Sequence, residues 1–217
     1  MNIIEVLKLV SPETATSLNR RYTILRAVDH LAPVGRRVLA DNLHVGERII
    51  RTELDELKQL DLIETGSAGV SLTPRGQGAL TAMAPYILEL LGLPNMELRV
   101  SEHLGIPRVM LVPGDSSADP LVKKELGRAA ARVLKQEIRD GDIIAITGGT
   151  TMSAVADSLR PQRHRVTVVP GRGALGERVE IQANTIAAKL AQALGGNYRM
   201  LHAPDNLSRH ALEELVQ

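Results

Sequence analysis

The sequence predicts an α/β protein, with an N-terminal winged helix-turn-helix ahead of a parallel sheet that carries helices on both faces. Three observations predict it. Before about residue 100, apolar residues recur at helical spacing with few β-branched runs, and beyond it short Val/Ile runs alternate with longer helical patterns. Between the early helical stretches sits a short turn around Gly46, followed by two strand-like runs flanking a Gly-rich turn. Charge is also segregated. Residues 17–51 hold seven Arg against three acids, whereas 53–64 hold five acids against Lys58 alone.

The first helix is read from 17 to 31, where Leu18, Tyr22, Leu25, Val28 and Leu31 form one stripe that Pro33 ends. A short second helix follows with Val38, Leu39 and Leu43 apolar. After His44-Val45-Gly46, a third helix from Glu47 to Leu60 turns Ile50, Leu54, Leu57 and Leu60 inward. Leu62-Ile63-Glu64 and Val70-Ser71-Leu72 then form the wing around Thr65–Gly69. If the third helix buries that face, Arg48, Arg51 and Thr52 project from the opposite side of its start, where recognition helices reach base edges. Arg36 and Arg37, at the entrance of the second helix, sit where phosphate contacts are usual. Operator DNA is therefore the expected partner of this half, although a winged helix also serves in protein interaction.

In the second half, strands are expected at Arg108–Val112, Ile143–Thr147, Val166–Pro170 and Tyr198–His202, with helices at 120–139, 151–160 and 178–194. Ligands of parallel sheets bind at the carboxyl ends of strands, so the loops leaving them matter most. Thr147-Gly148-Gly149-Thr150-Thr151 follows one strand, and Pro170-Gly171-Arg172-Gly173 follows the next. Gly148 and Gly149 let backbone N–H groups approach an anion, the helix start adds its dipole, and Thr150 and Thr151 add hydroxyls. The same Gly and Thr also suit an ordinary helix cap. Arg172 supplies a guanidinium at the same sheet edge, and the two loops together favour an oxyanion pocket.

Several classes fall away. There is no Cys, hence no disulfide and no thiolate site. Phe and Trp are absent and Tyr numbers three, so the core is aliphatic and base stacking is not the expected mode of nucleic-acid binding. A net charge of +1 announces no polyanion partner by itself. The chain lacks G-x-x-x-x-G-K-[ST], a G-x-G-x-x-G after a strand, and metal-ligand spacing among its six His. No cofactor, metal or catalytic residue is expected. No apolar run is long enough for a membrane span and the N-terminus does not resemble a signal peptide, so a cytoplasmic protein is expected.

GDIIAITGGTTMSAVADSL, VVPGRGALGE, EIQANTIAAKLAQALGG and YRMLHAPDNLS resemble the sugar-binding domain of the SorC/DeoR-type bacterial transcriptional regulators, and the likeness runs from about residue 17 to the end. The resemblance implies a repressor of carbohydrate or glycolytic genes, with a winged helix on operator DNA. It further implies a Rossmann-like domain, related to sugar-phosphate isomerases and deaminases, that binds a phosphorylated sugar, fructose-1,6-bisphosphate by analogy. It implies that Gly149, Thr150 and Thr151, with Arg172 and Gln182, hold one phosphate. Gln182 rests on the resemblance alone. The expected organisation is a winged helix-turn-helix over 1–81, a helical linker over 82–106 broken by Pro85, Pro94 and Pro107, and the N-terminal part of the effector domain over 107–217. Family members are considerably longer, so weak effector binding by this chain is expected. One winged helix offers a small interface, so a homo-oligomer, dimer or tetramer, is expected, with Met83–Leu93 as a candidate contact.

Overall fold

The computed structural model describes residues 3–117, 119–173, 178–202 and 208, and the chain divides into two units, Met1–Pro113 and Gly114–Gln217. The first unit begins with helix α1 (Ile3–Val10), which buries Ile4. Helix α2 (Pro12–Leu31) has Pro12 in its first turn and buries Ile24, Leu25, Ala27 and Val28. Helix α3 (Arg36–Leu43) is two turns long, and α4 (Glu47–Gln59) follows it. The turn between them is made left-handed by His44 (φ 51°), not by Gly46, which caps the start of α4. Strands β1 (Ile63–Gly66) and β2 (Gly69–Leu72) pair antiparallel from Ile63↔Leu72 to Gly66↔Gly69 across a two-residue turn. Val34 bridges to Val70 as a third antiparallel contact. Helix, helix, turn, helix and wing are thus present in the expected order.

Two apolar residues are not where helical periodicity puts them. Val38 is 48% exposed because α3 turns Leu39 and Ala40 inward, and so short a helix has no second apolar face to bury. Leu60 is 46% exposed because α4 has already ended at Gln59, and left-handed Asp61 turns the chain toward β1.

Helix α5 (Pro74–Leu90) opens on Thr73, whose hydroxyl accepts the Gly76 N–H at 3.0 Å. Pro85 lies inside α5 and does not break it. Packing of Ile87 and Leu90 against Ile4 and Ala15, flanked by Leu7, Leu18, Tyr22 and Met83, holds the helix on past the proline. Helix α6 (Leu93–Leu104) accepts Pro94 in its first turn, where no N–H is needed. Ile87, Leu90 and Leu93 of the Met83–Leu93 segment are therefore core, while Tyr86 and Leu91 remain exposed. Residues 108–112 form no strand. The Leu111 N–H donates to a Glu97 carboxylate oxygen at 2.7 Å, so the backbone group that a strand partner would take is already satisfied.

The second unit contains α7 (Pro120–Glu137), β3 (Ile143–Ile146), α8 (Thr150–Ser158), β4 (Thr167–Pro170), a 3₁₀ turn (Val179–Ile181), α9 (Ala183–Leu194) and β5 (Asn197–Tyr198). The strands are parallel in the order β3-β4-β5, with Ile143↔Thr167 to Ile146↔Pro170 and Thr167↔Asn197, Val168↔Tyr198 in register. The expected Arg108–Val112 strand is thus missing from this sheet, and Leu201 and His202 lie beyond the short β5. Pro204-Asp205-Asn206-Leu207, whose composition suits the start of a further helix, lies outside the described residues.

Among the described residues the sheet carries its helices on one face, not on both as expected. Ile144, Ile146, Val166 and Val168 meet Ile186, Ala187, Leu190, Ala191 and Leu194 of α9, with Ala156 of α8, in one core. The opposite face presents Ile143, 74% exposed, and exposed Ala145. Strand order explains this. Two successive right-handed crossovers that step in the same direction across a sheet put α8 and α9 on the same face. No helix among the described residues is long and apolar enough to cross a membrane.

Helix α7 crosses α8 at Gly127, where an added Cβ would stand 2.4 Å from the Ala154 carbonyl oxygen. Alanine at an exposed helical glycine gains about 1 kcal/mol in propensity, whereas overpacking against backbone costs about 1–3 kcal/mol. Gly127→Ala should therefore lower stability. Gly78→Ala in α5, where a Cβ meets nothing within 4 Å, should raise it. Denaturant melts of the two variants check the pair, and equal shifts would refute the crossing contact.

Candidate functional site

In the first unit, α3 and α4 each begin with exposed cations. Arg36 and Arg37 are exposed on the first turn of α3, and Arg48 and Arg51 on the first turns of α4. Among the described residues none of the four makes an ion pair. Thr52 is exposed beside them, and its hydroxyl donates back to the Arg48 carbonyl at 3.1 Å. The inward face holds Ile50, Leu54 and Leu57, all buried, as the stripe requires. The wing lies at the end of α4, where Lys58 Nζ donates to Thr65 Oγ1 at 2.9 Å.

Two of the seven arginines are committed elsewhere. Arg20 Nη1 and Arg21 Nε of α2 donate to the two carboxylate oxygens of Glu53 at 3.2 and 3.1 Å, and Arg21 Nη2 pairs with Glu56. Glu53 is the one charged residue among the buried described residues. Sequence reading missed it, because Glu53 falls on the inward stripe of α4 between Ile50 and Leu57. The acidic block starting at Glu53 was its only trace.

In the second unit, three chain segments converge at the carboxyl ends of the strands. The Gly149 N–H donates to the Ile181 carbonyl at 2.8 Å, and Gly171 N–H donates to Ile146 O at 2.6 Å. A Cβ at Gly148 would stand 2.6 Å from Ile181 O and 3.1 Å from Ala183 N, so only glycine allows this approach. Gly149 has φ +121°, a value that β-carbon sterics disfavour in every other residue. The result sets the start of α8 beside the start of α9. Their cap residues, Gly149 and Gln182, provide no side-chain cap, so the first-turn N–H groups of both helices keep their outward-pointing donors.

Gly148, Gly149, Thr150, Thr151 and Gln182 are thus brought together. Thr150 and Thr151 are exposed in the first turn of α8 and do not cap it. Arg172 is exposed directly after Gly171, on the loop that the Gly171–Ile146 bond holds beside the end of β3. Glu180 lies in the adjoining 3₁₀ turn. Its own backbone N–H and then the Arg178 side chain, at 2.8 Å, hold its carboxyl below the usual carboxylate range, so its charge is already offset. Asn184 was not foreseen. Its side-chain amide accepts the Leu201 N–H and donates to the Leu201 carbonyl, each at 2.9 Å, pinning the chain beyond β5 to the start of α9. Lys189 ties α9 to Asp157 of α8 at 3.2 Å. Two adjacent uncapped helix starts, with threonine hydroxyls and an arginine loop, can accept an anion with several oxygens.

Comparison with known proteins bears on both halves. Residues 89–217 match the sequence profile of the sugar-binding domain family, and residues 18–87 match the CggR N-terminal DNA binding domain. The chain is 39% identical over 218 positions to the central glycolytic genes regulator of Priestia megaterium, and 36% identical over 217 positions to that of Bacillus subtilis. Each alignment covers 99% of this chain and 64% of the relative, so the chain spans just under two thirds of their length. Among solved structures, the full-length sorbitol operon regulator SorC from Klebsiella pneumoniae superposes with a TM-score of 0.51 at 14% identity, over 84% of this chain and 55% of that one. That likeness concerns the fold. With a helix-turn-helix and wing matching a DNA-binding domain over residues 18–87, and a parallel sheet within the region 89–217 that matches a sugar-binding one, the chain belongs to the sugar-binding domain family.

Proposed function

We propose that the chain is a cytoplasmic, DNA-binding repressor of glycolytic or other carbohydrate genes, whose hold on its operator is set by a phosphorylated sugar. Fructose-1,6-bisphosphate is the effector we favour. The observation that carries the reading is the pairing of two uncapped helix starts, joined by the 2.8 Å Gly149–Ile181 hydrogen bond, inside the region that matches the sugar-binding family. Both relatives are named as regulators, which favours regulation over an alternative that the relation to sugar-phosphate isomerases and deaminases also suggests, an enzyme of that kind.

On the DNA side, Arg48, Arg51 and Thr52 read base edges from the start of α4, while Arg36 and Arg37 at the start of α3 hold phosphates. Two half-sites read by a symmetric pair supply useful affinity, so the protein works as at least a dimer. On the effector side, N–H groups and hydroxyls of Gly148–Thr151, with Arg172 and Gln182, take one phosphate of the sugar by charge-assisted hydrogen bonds. No cofactor takes part.

Duplexes selected by this chain from a random pool provide the probe. Losing a base contact costs about 1–3 kcal/mol and relaxes preference at one position, whereas losing a phosphate contact weakens all duplexes alike and lowers the salt slope by about one. Arg48→Ala and Arg51→Ala should behave in the first way, Arg36→Ala and Arg37→Ala in the second, as read by fluorescence anisotropy across a salt series. Unchanged affinity and slope in all four would remove α3 and α4 from the interface.

With contacts for one phosphate, these loops should bind fructose-1,6-bisphosphate more weakly than micromolar in calorimetry. Micromolar affinity, abolished by Thr151→Ala, would overturn the assignment of one phosphate alone to this pocket.

A further inference from the structure

Glu53 poses a question that burial alone does not answer. Its side chain is 8% exposed, on the inward face of α4 among Ile50, Leu54 and Leu57, where an aliphatic residue would bury as well. Both its oxygens are taken by α2, one by Arg20 at 3.2 Å and the other by Arg21 at 3.1 Å. Desolvating such a cluster consumes most of what the pairing returns, and apolar replacements of buried ion pairs are often no less stable. What the cluster provides that an aliphatic contact does not is direction. Apolar packing tolerates sliding and rotation, whereas two guanidinium groups on two oxygens fix both the depth and the roll of a helix.

The helix so fixed is the one that carries Arg48 and Arg51. Glu53 stands two residues beyond Arg51 and faces the other way, toward α2. Beside α2, the helix meets α3 and β1 through its aliphatic stripe. We infer that Glu53 is a positioning residue for DNA reading: by clamping α4 to Arg20 and Arg21 it sets the angle at which Arg48 and Arg51 meet the major groove. A small roll of α4 would move both guanidinium groups off their base edges while leaving their charge near the phosphates. The clamp should therefore govern discrimination between sequences more than total affinity. Together with Glu56, which also pairs with Arg21, Glu53 offsets the charge of Arg20 and Arg21 and lowers their share of the nonspecific attraction. This inference rests on the DNA-binding reading above.

The test uses the full 217-residue chain, a duplex enriched by the wild type from a random pool, and a scrambled duplex of equal length and composition. Three variants are compared: Glu53→Gln, the double variant Arg20→Gln with Arg21→Gln, and Asp55→Asn on the exposed side of α4. The first two open the same clamp while changing net charge in opposite directions. Both should reduce the ratio of specific to scrambled affinity by about tenfold, the scale of one bidentate base contact. Asp55→Asn, with the same charge change as Glu53→Gln, should leave the ratio alone. A purely electrostatic role would instead move scrambled affinity up in Glu53→Gln and down in the double variant, with the ratio held. That result, or a ratio within twofold of wild type in both, would overturn the inference and leave the DNA reading standing. Arg20 is 42% exposed, so the double variant carries the test should Glu53→Gln melt below the assay temperature. Failure of the wild type to enrich any duplex would instead refute the DNA reading, and the inference with it.

Discussion

One backbone contact organises the second unit: Gly148 lies against the Ile181 carbonyl while Gly149 donates to it at 2.8 Å. A methyl group at Gly148 would stand within 2.6 Å of that oxygen, so the contact exists only because the side chain is missing. Everything at the carboxyl edge of the sheet follows from it. The start of α8 is brought to the start of α9, and the same approach sets Ala183 N beside the Gly148 backbone. Strand order does the rest, since β3-β4-β5 stepping one way puts both crossover helices on the face where they can meet. Neither helix spends a side chain on capping its first turn. With the cap N–H groups of Gly149 and Gln182 bonded to Ile181 and Val179, the next three N–H groups of each helix are left without an intrahelical partner within one small region, a cost in isolation that an anion would offset.

The first unit solves a different electrostatic problem. It must present cations without letting them repel one another into disorder, and six of the seven Arg between residues 17 and 51 fall into two groups. Arg20 and Arg21 are consumed internally by Glu53 and Glu56, whereas Arg36, Arg37, Arg48 and Arg51 face outward. Net charge near zero is compatible with polyanion binding under this arrangement, because what a phosphate backbone meets is the local face and not the sum. The near absence of aromatic residues bears on both units, since a core of Leu, Ile, Val and Ala leaves orientation to hydrogen bonds, ion pairs and glycine contacts.

Much of this was legible in the sequence for local reasons. The order of α2, α3, α4 and the wing follows from periodicities of 3.6 and 2, and the outward Arg48 and Arg51 follow from the buried Ile50, Leu54 and Leu57. The Gly148–Thr151 loop was visible because a strand pattern precedes it and a helix pattern follows. Gln182 was reached by family resemblance only, since nothing local marks it. What escaped depends on long-range partners. The residues 108–112 have strand composition, yet a strand also needs a neighbour, and the Leu111 N–H went to Glu97 instead. Helices on one face required the strand order, which no local pattern carries. Glu53 and Asn184 are both defined by partners far along the chain, Arg20 and Arg21 for one and Leu201 for the other, and a Glu within an acidic block or an Asn in a helix looks like solvated surface. Pro85 misled in the opposite direction, because tertiary packing at Ile87 and Leu90 outweighed a strong local signal.

The central claim is that the paired helix starts form the phosphate end of a sugar-phosphate site. Backbone amide shifts of the isotope-labelled chain, followed through a titration with fructose-1,6-bisphosphate and in parallel with fructose, test it most directly, because weak binding at millimolar ligand still moves the resonances of fast exchange. The account predicts that the amides of Gly149–Met152 and of Ala183–Thr185 move together with one saturation curve, for the bisphosphate and not for fructose. Shifts confined to other segments, or none from either ligand at concentrations where one phosphate contact should register, would contradict it.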